Sequence, residues 1–218
     1  MSREVIYLLS PLKKEGTLSL PMIRFSMVAT SIDFLDVDTL MFTSKQAVVS
    51  ANAIDASWKN YPSIAIGKAT KSKIEELGGD VIYTPKSFYG DQLAQDIKAF
   101  FSNRKILYLR PKVVSFDSKA YLKASNIDLK EQVIYETRCQ TYTKLQEPKE
   151  NAIIIFTSPS TIHCFFKNFK WKDSYRAVLI GRATEAHLPI GCQFWIADEP
   201  LIDACIKKAL EIAKNESE

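Results

Sequence analysis

Histidine is scarce in this chain and cysteine is scattered. His163 and His187 are the only two histidines, and Cys139, Cys164, Cys192 and Cys205 form no CxxC pair. That is poor material for a zinc centre or a disulfide framework. The expectation is reduced cysteines acting as small apolar side chains. No apolar run approaches the roughly 20 residues that span a bilayer. The N-terminal MSREVIYLLSPLKKEG has an apolar stretch too short for a signal-peptide core, with no small-residue cleavage pattern behind it, so a cytoplasmic protein is expected. Neither a P-loop nor a GxGxxG is present, so nucleotide phosphates have no standard cradle, and there is no GxSxG elbow. Neither histidine stands with an acid at a telling spacing, and both read as surface or packing residues. An enzyme with this sequence works by binding and shaping its substrate more than by a charged triad.

What is present is ordinary globular material. The chain has 218 residues, 46% hydrophobic and 25% charged, enough for one large core or two small ones. The net charge of +4 suits an anionic small molecule and is too weak and dispersed for nucleic acid.

The chain repeats itself. TLMFTSKQAV (from Thr39) and AIIIFTSPST (from Ala152) each join an apolar run to Phe-Thr-Ser and a helical start. Phe42 and Phe156 are 114 residues apart, and so are Gly67 and Gly181 in IAIGKAT and VLIGRAT. IYLLSP (from Ile6) and ILYLRP (from Ile106) echo each other at an offset of 100, so the copies differ by an insertion or deletion. The chain reads as a diverged duplication.

Runs such as LMF, IAI, VIY, IIIF and AVLI are short and continuously apolar, as in parallel strands covered on both faces. Helical segments lie between them; in TKSKIEELGG, Ile74 and Leu77 share a face and Gly78-Gly79 stops the helix. The fold class is therefore α/β: two similar doubly wound parallel-sheet domains. PMIRFSMVATS and EQVIYETRCQTYTKL break the rhythm, with Arg24, Ser26, Glu136, Arg138 and Gln140 read as a solvated face. They suit a two-stranded β connector between the domains, or else edge strands within the sheets.

In such a fold, Phe-Thr-Ser lies at the carboxyl end of a strand and the amino end of a helix. Ser158 before Pro159 is a capping hydroxyl followed by proline at the first helical position, and Ser44 is placed likewise. Gly67 and Gly181 end strands, with Thr70 and Thr184 following near helix starts. Helix amino ends gathered at such rims attract carboxylates or phosphates.

In LMFTSKQAV, AIGKATKSKIEELG, ILYLRP, VIYETR, IIFTSPSTIHCFF and VLIGRATEAH, in that order, the chain resembles the uroporphyrinogen-III synthase family over nearly its whole length. The resemblance implies two α/β domains joined by a two-stranded ladder, with the active site in the cleft between them. It places residues 1–20 and 141–218 in one discontinuous domain, 30–130 in the other, and 21–29 and 131–140 in the connector. The implied substrate is hydroxymethylbilane, a linear tetrapyrrole with eight carboxylates, which loses water and closes with inversion of its last ring, through a spiro intermediate. No cofactor and no metal are implied, and the enzyme is expected to be a monomer. A transient contact with the preceding pathway enzyme, which would hand over the bilane, belongs to the same expectation.

Carried over residue by residue, Tyr135 of VIYETR matches the connector tyrosine that assists departure of the hydroxyl. Ser44, Thr70, Ser158 and Thr184 match the hydroxyl positions that hold substrate carboxylates, and Arg110 of LYLRP is a further substrate-binding candidate. Where the family's first strand often ends in Thr-Arg-Pro, this chain has Leu9-Ser10-Pro11, so Ser10 carries no role. PLKKEGTLSL is short for the family's first helix, and Pro189 truncates the helix after IGRATEAH. The alternative reading is a two-domain, cleft-closing protein that binds an anionic ligand without catalysis.

Overall fold

The computed structural model describes residues 4–85, 90–114, 117–124, 127 and 129–215. The chain opens with β1 (Ile6–Leu8), β2 (Leu18–Ser19) and β3 (Ile23–Met27). Strands and helices then alternate through β4 (Thr39–Phe42), α1 (Lys45–Ile54), β5 (Ser63–Ala65), α2 (Lys68–Glu76), β6 (Val81–Tyr83), α3 (Gly90–Phe100), β7 (Ile106–Pro111) and α4 (Ser118–Lys123). The long β8 (Lys130–Cys139) leads to β9 (Ile153–Phe156), α5 (Pro159–Asn168), β10 (Arg176–Leu179), α6 (Arg182–Glu185), β11 (Phe194–Ile196) and α7 (Ile202–Asn215).

Two compact units result. One holds the residues up to Arg24 and those from Thr137 onward; the other is Phe25–Glu136. Both boundaries fall inside a strand, β3 and β8, and these two strands are neighbours in sheet order. The discontinuous unit has the parallel order β11-β10-β9-β1-β2. In the other, β8-β7-β4-β5-β6 are parallel and β3 lies beyond β8.

The continuous apolar runs are explained by burial on both faces. Along β9, Ile154 and Phe156 enter one core with Phe165 and Tyr175, while Ile153 and Ile155 enter another with Cys205 and Ala209 of α7. Along β7, Leu107 and Leu109 meet Trp58 and Ile74, while Ile106 and Tyr108 meet Leu93 and Ile97 of α3. Successive side chains of a strand point to opposite faces, so a two-faced strand must be apolar throughout.

Helix ends follow from side-chain chemistry. Ser44 caps α1 by accepting from the Ala47 N–H at 3.1 Å, and Ser158 caps α5 by accepting from Thr161 N–H at 3.3 Å. Gly78 follows the end of α2 with φ +86°, a conformation that side chains resist. Gly79 is small for a different reason, since a Cβ there would sit 2.5 Å from the buried Trp58 ring.

Two expectations change. Cys139 and Cys164 are joined by a disulfide, because β8 and α5 bring their Cα atoms within 5.2 Å, a proximity that their separation of 25 residues conceals. Glu136 is not on a solvated face: it is buried and takes an ion pair from Lys112 at 3.2 Å. PLKKEGTLSL, short for the family's first helix, carries turns and no helix, and β1 and β2 pair directly in parallel. As Pro189 suggested, α6 is only four residues long.

Candidate functional site

The Phe-Thr-Ser rim of the Phe25–Glu136 unit is bound to two tyrosines. Phe42 ends β4 inside the core, and the two residues after it emerge half-buried. Thr43 Oγ1 lies 2.8 Å from the Tyr108 hydroxyl, and Ser44 Oγ lies 3.0 Å from the Tyr135 hydroxyl. Tyr108 comes from β7 and Tyr135 from β8, so one short motif gathers two remote phenols. The Ala47 N–H already occupies one lone pair of Ser44, which fixes that oxygen and leaves its proton and other lone pair for Tyr135. Phe25 packs edge-on against the Tyr135 ring at 5.8 Å between centroids.

Burial pushes the Tyr135 phenol above its usual range, and the Ser44 hydrogen bond partly offsets this. The same cause pushes Tyr108 up to about 12, with Thr43 opposing. Both phenols are therefore neutral at ordinary pH and can donate a proton.

The other predicted residues of this unit are placed differently. Arg110, near the end of β7, is engaged within the protein. It donates to the carbonyls of Pro111 at 3.0 Å and Lys112 at 3.3 Å, and its Nε is 3.3 Å from Glu131. Thr70 is the third residue of α2, and its side chain is buried. What the IGKAT motif offers at its surface is the Gly67 turn, with φ +77°.

In the discontinuous unit the copies have diverged. Ser158 is half-buried and forms a reciprocal cap with Thr161. Thr184, third in α6, is buried like Thr70. Beside the start of α5 lies an open pocket of about 560 Å³, bounded by the end of β8, one face of α5 and the end of α6. His163 and His187, read from the sequence as surface or packing residues, both line it, together with Arg138 and Lys167. Nothing in the spacing of the two histidines announces this. The signal available was His163 and Lys167 at i and i+4 on α5, a helix whose other face carries Ile162 and Phe165 into the core. Tyr108 was missed because ILYLRP reads as an ordinary buried strand.

Among the described residues, no three His, Cys, Asp or Glu side chains gather in a way that could hold a metal ion. No helix among them is long and apolar enough to cross a membrane.

Comparison with known proteins gives a consistent result. The family described as "Uroporphyrinogen-III synthase HemD" matches residues 15–207. The crystal structure of a uroporphyrinogen-III synthetase from Helicobacter pylori superposes with a TM-score of 0.81 at 25% identity, covering 96% of this chain and 99% of that one. A mutant uroporphyrinogen III synthase from Thermus thermophilus shares the fold at a TM-score of 0.60 and 13% identity, covering 98% and 99%. Among curated proteins none matches significantly.

Proposed function

The chain belongs to the uroporphyrinogen-III synthase family, cyclising lyases of haem biosynthesis, and from that membership we propose how its own residues carry the reaction. The activity is dehydration and cyclisation of hydroxymethylbilane, with inversion of ring D, to uroporphyrinogen III.

The observation that carries the proposal is the Ser44–Tyr135 pair, 3.0 Å apart. The leaving hydroxyl needs a proton to depart as water. Burial raises the Tyr135 pKa, which keeps the phenol protonated but makes it a weaker acid; the transfer is driven by the departing oxygen, which becomes strongly basic as its C–O bond breaks. The proton lost from the attacked pyrrole as its aromaticity returns balances the one given. Ser44, fixed by its capping bond, holds the phenol in position. Because the bilane also closes unaided to the wrong isomer, control of geometry outweighs acid strength, and held orientation is worth more than a charged triad.

Ser44 and Ser158 serve the substrate carboxylates through the helix starts they cap. The amino ends of α1 and α5 carry partial positive charge and unpaired N–H groups. Thr70 and Thr184 act through the backbone of their helix starts, since their side chains are buried. Arg110, its charge offset by Glu131, acts in this reading by holding the end of β7 in place. In this reading residues 30–130 form one domain and 1–20 with 141–218 the other, with 21–29 and 131–140 as the connector. Action as a cytoplasmic monomer completes the reading; a transient contact with the enzyme that makes the bilane would suit so unstable a substrate.

The test is an isomer assay on freshly prepared hydroxymethylbilane. Product enriched in the type III isomer is expected. Type I product alone, at the spontaneous rate, would leave the anion-binding alternative.

A further inference from the structure

The pocket beside α5 is built differently from the tyrosine-bound rim. Its wall carries Arg138 from β8, His163 and Lys167 from α5 and His187 from beyond α6, with no acidic side chain among its lining residues. All four basic residues are exposed. The Cys139–Cys164 disulfide, whose cysteines belong to the same wall, ties β8 to α5 and so fixes the spacing between Arg138 and the helix face. The proton transfer assigned to Tyr135 uses none of these four side chains.

We propose that this pocket is a binding site for carboxylate groups. Two cations, Arg138 and Lys167, and two imidazoles line one wall, and His163 with Lys167 one turn on present two donors along one line. Bonds from Arg138 and Lys167 to a carboxylate are charge-assisted, each weakened by solvent because these side chains are exposed. The pocket's volume of about 560 Å³ gives room for a pyrrole ring with its acid arms. The carboxylates come either from the arms of the tetrapyrrole or from a separate small acid; the first source rests on the function proposed above.

The chain reports on this pocket by itself, because its only two histidines line it. Two imidazole Hε1 signals in the NMR spectrum of the full chain therefore watch one site. The titrants are an octacarboxylate porphyrin and citrate, at constant pH and ionic strength. Both signals are expected to shift together and saturate with one dissociation constant. In Lys167→Met that constant is expected to rise about two- to fivefold, the worth of one exposed ion pair. A response to porphyrin alone identifies the tetrapyrrole as the source, and a response to citrate alone a separate acid. No shift with either titrant, or shifts unchanged in Lys167→Met, overturns the proposal. The isomer assay on the same samples keeps the two readings apart. Type III product with silent histidines removes the pocket and keeps the function; responsive histidines without type III product do the reverse.

Discussion

Tyr135 and Ser44 stand 91 residues apart in sequence and 3.0 Å apart between their oxygens. One lies in the long strand β8 and the other caps the helix after β4. The pair combines a neutral phenol with an oxygen that cannot drift, because the Ala47 N–H holds it.

Removing the phenolic hydroxyl should therefore cost more than removing its neighbour. Tyr135→Phe is expected to slow type III formation about a hundredfold, the usual worth of a positioned proton donor. Ser44→Ala should cost roughly tenfold, with about 1 kcal/mol of stability lost from the cap. Rates of isomer formation, with thermal melts as the folding control, decide it. A Tyr135→Phe enzyme of near-normal rate would return the tyrosine to a packing role.

Thr70→Ala and Thr184→Ala should behave otherwise. Both side chains are buried, so their loss should appear in melting temperature and leave KM almost unchanged. A large rise in KM without loss of stability would mean that these hydroxyls reach the substrate.

The tyrosines also set a limit at high pH. Tyr108 titrates near 10.0 when unfolded and is pushed up to about 12 by burial in the folded chain. The folded state thus holds the proton more tightly. Its stabilising contribution is complete below pH 10 and is lost as the pH climbs towards 12. Two pH units correspond to about 3 kcal/mol. Urea unfolding at pH 9, 10 and 11 should show this decline, and Tyr108→Phe should show less of it. Equal declines in the two proteins would assign the loss to other groups.

Adjacent glycines should respond for different reasons. Gly78→Ala meets open space but keeps φ +86°, a left-handed strain of about 1 kcal/mol. Gly79→Ala drives a methyl to 2.5 Å from Trp58 Cζ3 and 2.9 Å from Ile74 Cγ2, overpacking that typically costs about 1–3 kcal/mol. Trp58→Phe removes the clashing ring atoms, so Gly79→Ala should be less damaging in that background. A double-mutant cycle in urea measures the coupling, and simple additivity would argue against the clash.

Thiol counting tests the cysteine pairing. Unfolded without reductant, the chain should yield two thiols, from Cys192 and Cys205. Folded, Cys205 should stay silent, because it is buried and its thiol is pushed up to about 11. Reduction should raise the unfolded count to four. Four thiols before reduction would show that Cys139 and Cys164 are a dithiol in the isolated protein, as a reducing compartment favours.

The architecture was legible in the order of residues alone. Continuous apolar runs broken by helical segments can be buried only as strands covered on both faces, and the repeated 114-residue offset made that architecture double. Capping chemistry was equally legible: Ser44, Ser158 and Gly78 act through bonds to residues three or four positions away, and local spacing is what a sequence displays. Whatever depends on neighbours remote in the chain had to wait for the packed molecule. Strand order brought Tyr108 to Thr43 and Tyr135 to Ser44, and the packing of α5 on β8 paired Cys139 with Cys164. The same long-range packing paired Arg110 with Glu131 and gave His163 and His187 a common pocket. These meetings are set by which faces the sheets bury, and no local pattern of residues encodes a contact whose partner lies on another strand or helix.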